Sequence, residues 1–157
     1  MITRTAPVIA TLASILCIAN SARGAAPDDP CALLTEAQVG TALGAQVTVV
    51  KTGSDAKHCH WEQGKRGATV VDAHLMVEAA KSYDAAKGTM GMSGKVTRVA
   101  VSGLGDDAYY LVGGRDAPLF VKKGNSAIRV AVDGKGLSME EIKAKEKALA
   151  SALLAKL

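Results

Sequence analysis

Aromatic side chains are scarce in this chain: one Trp, three Tyr and one Phe make up 3% of its 157 residues. A domain with so few rings has a modest core, and a covalent supplement would help it. Charge of one sign is missing too, since 19 Lys and Arg stand against 15 Asp and Glu for a formal net charge of +4. No clustered basic stripe interrupts that balance, so nucleic acid is not an expected partner. No apolar run reaches the roughly 18 residues of a membrane-spanning helix. There is also no nucleophile beside an obvious base, no spaced carboxylate pair and no cofactor fingerprint. The sequence therefore offers no catalytic constellation.

What is present begins with an export-like leader. Arg4 precedes an uncharged apolar stretch from Ala6 to Ala19, followed by the small and polar residues Asn20 to Ala26. That order of basic start, short apolar core and small-residue end predicts a secretory signal peptide over residues 1–24 and a single exported domain over 25–157. Its loss would remove Arg4, Arg23 and Cys17, and the net charge of +4 would fall by two. Cys31 and Cys59 then remain. An even pair in an oxidising compartment is most simply a disulfide, with a reactive thiol or a metal-ligand pair as alternatives. Closing a loop of that length stabilises by about 3–4 kcal/mol in the chain-entropy description.

Local signals predict an α+β domain in the order α, three β, α, four β, α. Thr35 and Gln38 form a capping box for a helix over Glu36–Leu43, stopped by Gly44. Ser138 and Glu141 repeat that grammar before a C-terminal helix that places Ile142, Leu149, Leu153 and Leu157 on one face. Between them the hydrophobic period changes to two, predicting strands at Val47–Val50, His58–Glu62, Thr69–Val77, Val96–Val101, Ala108–Val112, Leu119–Lys122 and Ala127–Val132. A helix near Lys81–Lys87 is expected to use Tyr83 as its large apolar contact. Thr89 to Lys95 reads as a loop, and Lys123 to Ser126 as a hairpin turn. Gly103 and Gly105 flank Leu104 where positive φ or a close backbone approach is expected. No Lys-Ser/Thr follows them to make a phosphate loop, and Asp106-Asp107 lacks the spacing of a calcium loop.

Three segments together, Asp29-Pro30-Cys31-Ala32-Leu33-Leu34-Thr35, Cys59-His60-Trp61 and Gly103-Leu104-Gly105-Asp106-Asp107-Ala108-Tyr109, resemble a family of small bacterial exported proteins and lipoproteins. Its members carry D-P-C-x-L-L-T, C-x-W and G-L-G-D-x-A-Y motifs, and the family is known mainly as a domain of unknown function. The resemblance implies a Cys31–Cys59 disulfide and a fold similar to the PsbP-like α/β/α sandwich, and it brings no catalytic residues. Leu16 stands where a lipoprotein signal needs a small residue before Cys17, so a soluble rather than lipid-anchored form is expected.

All three histidines, His58, His60 and His74, fall in two adjacent predicted strands. If Lys65-Arg66-Gly67 is a three-residue hairpin loop, Gly64 lies opposite Ala68, His60 opposite Asp72 and His58 opposite His74. The imidazoles and Asp72 then share one face, while Cys59, Trp61, Val71, Ala73 and Leu75 take the other. Such a set suits Zn²⁺ or Cu²⁺, and Met90 and Met92 could add soft thioether ligands that favour copper. The plainer reading of the same residues is a solvent-facing polar side of an antiparallel sheet. The expectation from sequence is thus a non-enzymatic exported protein that binds an envelope partner or a small ligand and needs no cofactor. Its alternative is a periplasmic metal-binding protein using His58, His60, His74 and Asp72.

Overall fold

The computed structural model describes residues 29–64, 71–89 and 96–157. The predicted signal segment with Cys17, the Lys65-Arg66-Gly67 turn, and Met90 and Met92 lie outside the described residues. Within them the element order is the expected one: α1 (Glu36–Leu43), β1 (Thr48–Val49), β2 (His58–Glu62), β3 (Val71–Ala79), α2 (Ala80–Thr89), β4 (Thr97–Ala100), β5 (Asp107–Val112), β6 (Leu119–Lys123), β7 (Ser126–Gly134) and α3 (Met139–Leu154). The strands form one antiparallel sheet in the order β1-β2-β3-β7-β6-β5-β4. None of the described helices is long and apolar enough to cross a membrane.

Both capping boxes form as read, Thr35 with Gln38 and Ser138 with Glu141, and Gly44 ends α1 in the left-handed conformation. Helices α1 and α3 pack on one sheet face. Val39, Leu43, Ile142, Leu149 and Leu153 meet the odd-numbered residues of β2 and β3 and the even-numbered Ile128, Val130 and Val132 of β7 there in the main core. Tyr83 of α2 covers part of the opposite face with Tyr109, Phe120 and Ala127. The period-two pattern decides which side chain joins which layer, because successive strand residues point to opposite faces.

Cys31 and Cys59 are joined by a disulfide, with their Cα atoms 5.1 Å apart. The segment before α1 is built to deliver that link. Asp29 accepts a hydrogen bond from the Cys31 amide at 2.8 Å, and Pro30 opens the short 3-10 turn Pro30–Ala32. The buried Cys59 thereby ties β2 to the chain's first described turn.

Gly105 meets both expectations made of it. Its φ is +58°, and a Cβ there would lie 2.3 Å from the Lys122 carbonyl oxygen. Its neighbours are used structurally: Asp106 accepts from the Gly124 amide at 2.6 Å, and Asp107 pairs with Lys87.

The β2–β3 register corrects one expectation. His60 stands opposite His74, His58 opposite Met76 and Glu62 opposite Asp72, a shift of two residues from the pairing that a three-residue loop imposes. A shift of two keeps every side chain on its own face, so the hydrophobic pattern is equally satisfied by both pairings. The expected pairing of His60 with Asp72 and of His58 with His74 is therefore not the one adopted.

Helix α3 also carries a residue the sequence reading passed over. Glu146 lies one turn from Ile142 on the buried stripe and is 1% exposed. Its Oε1 accepts the Val132 amide at 3.1 Å, at a point on β7 beyond the β6 pairing, which ends at Leu119 opposite Val130. Burial pushes its carboxyl up to about 8, and the Val132 amide offsets this only in part. The folded protein thus holds a proton that the unfolded chain releases near 4.5, so stability is full below that pH and is lost as pH rises toward 8. Urea unfolding across pH 4–9 should show that decline, on the order of a few kcal/mol, and Glu146→Gln should flatten it. A wild-type profile without the decline would contradict the assignment.

Candidate metal centre

On the sheet face away from α1 and α3, three strands set side chains in rows. Glu62, Asp72 and Asp133 are aligned across β2, β3 and β7, and the next row holds His60, His74 and Ala131. The row after that holds His58, Met76 and Arg129. Three carboxylates directly opposite one another are mutually destabilising unless positive charge lies among them.

His60 and His74 stack, with ring centroids 4.0 Å apart and planes 13° from parallel. Asp72 Oδ2 lies 3.4 Å from His60 Nε2 and accepts a hydrogen bond from His74 Nε2 at 3.0 Å. Glu62 Oε1 is 3.8 Å from the same His60 nitrogen. One ligand atom from each of His60, Asp72 and His74 falls within 4.8 Å of the others. A tetrahedral ion with bonds near 2.0–2.1 Å separates its nitrogen and oxygen ligands by about 3.3 Å, so this cluster is close to the required spacing. Burial opposes ionisation of Asp72, but hydrogen bonding and attraction from His74, then attraction from His60, outweigh it and hold the carboxyl below the ordinary range. The carboxylate is thus in the form that ligates metals.

The side chain of His60 is 12% exposed, against 52% for that of His74, so the cluster opens to solvent on the His74 side. His60 Nε2 is buried without a hydrogen-bond partner among the described residues. A polar atom left that way costs about 1–3 kcal/mol. Its ring is held by the 3-10 turn Lys51–Gly53, which the Ser54 hydroxyl anchors by donating to the Val50 carbonyl at 3.0 Å and accepting the His60 amide at 3.1 Å. Gly53 lies against the imidazole, where a Cβ would come within 2.7 Å of Nδ1.

Of the four predicted ligands, the structure brings together His60, Asp72 and His74. It places His58 elsewhere: its Nδ1 donates to Asp55 at 2.9 Å, and the two-residue shift of register sets it opposite Met76. Glu62 and Asp133 were not singled out in the sequence. Glu62 emerges from the corrected β2–β3 register, and Asp133 only from the pairing of β3 with β7, which joins strands far apart in the chain.

Gly53→Ala should displace the His60 ring from its stack on His74 and destabilise the fold by about 1–2 kcal/mol, as overpacking does. Imidazole NMR shifts of both histidines, with urea unfolding, would check this, and unchanged shifts would contradict the packing described. No family model matches this chain, and no curated protein and no solved structure matches it.

Proposed function

We propose that this chain is an exported, disulfide-stabilised protein of the cell envelope that binds a divalent d-block cation, Zn²⁺ or Cu²⁺, through His60, Asp72 and His74, with Glu62 beside them. The observation that carries the reading is the convergence of two imidazole nitrogens and one ionised carboxylate within 4.8 Å of one another, one of those nitrogens being buried without a hydrogen bond among the described residues. Neutral imidazole and carboxylate are the ligand types that zinc and cupric ions take. A dication would also relieve the repulsion along the Glu62–Asp72–Asp133 row and give His60 Nε2, which makes no hydrogen bond among the described residues, a direct bond. Export is supported by the leader-like segment and by the Cys31–Cys59 disulfide. The role is binding rather than catalysis, because the sequence carries no nucleophile with a base and no cofactor fingerprint.

Calorimetric titration of residues 25–157 with Zn²⁺ and with Cu²⁺ should give one site per chain. His60→Ala/His74→Ala should weaken binding at least a hundredfold, and His58→Ala only a few-fold. At a metal concentration of 100 times the wild-type dissociation constant, unfolding stability should rise by about 2.7 kcal/mol in the wild type and by less than about 0.5 kcal/mol in the double variant. Equal, weak binding by wild type and the double variant would overturn the proposal.

A further inference from the structure

The same sheet face opens beside the cluster into a groove of about 290 Å³ lined by Gly53, His58, His74, Met76, Arg129 and Ala131. Arg129 lies one row beyond His74 on β7, a diagonal neighbour whose Cα is roughly 7–8 Å away in such pairings. Its guanidinium rests over the Phe120 ring at 5.5 Å. It forms no ion pair among the described residues, although Lys87, Lys122 and Lys143 each find a carboxylate. Asp55 occupies His58 Nδ1 and leaves Nε2 as that ring's remaining hydrogen-bonding atom.

The charges are arranged in order across the face. Glu62 and Asp133 lie on one side of the cluster and repel an approaching anion, while Arg129 and the apolar Met76 lie on the other, with Ala131 beside His74 in the cluster's own row. A dication held by two neutral imidazoles and Asp72 keeps a net positive charge, and three protein ligands leave at least one coordination position open. An unpaired guanidinium presents a planar fork that matches a carboxylate.

We infer that the metal-loaded groove takes a small dicarboxylate, one carboxylate completing the coordination of the ion at His60, Asp72 and His74, the other on Arg129, with a short hydrocarbon spacer against Met76 and Ala131. This rests on the metal reading. It adds to it the chemical class of the second ligand and the residue that selects it.

Cobalt(II) serves as the spectroscopic probe, because its visible d–d bands report both occupancy and the ligand set. Loading the wild-type protein with Co²⁺ should first give a d–d spectrum, and titrating succinate should then shift those bands saturably. Acetate, which cannot reach both ends, should bind at least fivefold more weakly. Arg129→Met, which keeps an aliphatic side chain over Phe120, should retain the cobalt spectrum and lose at least tenfold in succinate affinity. Failure to form any cobalt spectrum would overturn the metal reading and this inference with it. A normal spectrum that does not respond to succinate, or that responds equally in Arg129→Met, would overturn this inference alone.

Discussion

The alternation of β2 is the constraint on which the rest depends. Cys59 and Trp61 face the core, where the first is bound covalently to the turn before α1 and the second is buried at 1% exposure. Neither can turn outward without breaking the disulfide or exposing the chain's only Trp, so His58, His60 and Glu62 are held on the opposite face. In a domain with five aromatic residues, this strand joins the covalent link, the largest core side chain and the polar centre within five positions. The stiffness of the core side is what lets the polar side keep unfavourable neighbours.

Those neighbours are unfavourable in a specific way. Like charges stand in line across three strands, and a ring nitrogen is buried without a hydrogen bond among the described residues. Glu146 shows the same fold resolving a buried carboxyl differently, by keeping it protonated against a strand amide. Asp72 cannot take that route, because His74 and His60 favour its ionised form. One carboxyl is thus neutral beneath the sheet and another is charged above it, and the charged one lies 3.4 Å from His60 Nε2 and 3.0 Å from His74 Nε2.

The sequence made the elements and their faces legible, because capping boxes and period-two alternation are local signals. Thr35 with Gln38, and Ser138 with Glu141, predicted helix starts that the structure keeps. What the sequence could not supply was pairing across distance. Sliding β3 by two residues along β2 leaves Cys59, Trp61, Ala73 and Leu75 in the core, so no hydrophobic term separates the two registers. That slip moves His58 out of the predicted ligand set and Glu62 into reach. Asp133 depends on β7 docking against β3, a contact encoded by the whole sheet. Glu146 was concealed by its charge, although its place one turn after Ile142 put it on the buried stripe.

The central claim is that two particular histidines, and not all three, meet at one point. Long-range ¹H–¹⁵N NMR of the imidazole rings during Zn²⁺ titration tests it most directly. The account predicts that His60 Nε2 and His74 Nε2 shift together and saturate at one equivalent, while His58 Nδ1 stays with Asp55 and hardly moves. Equal shifts in all three rings, or none in His60, would contradict it.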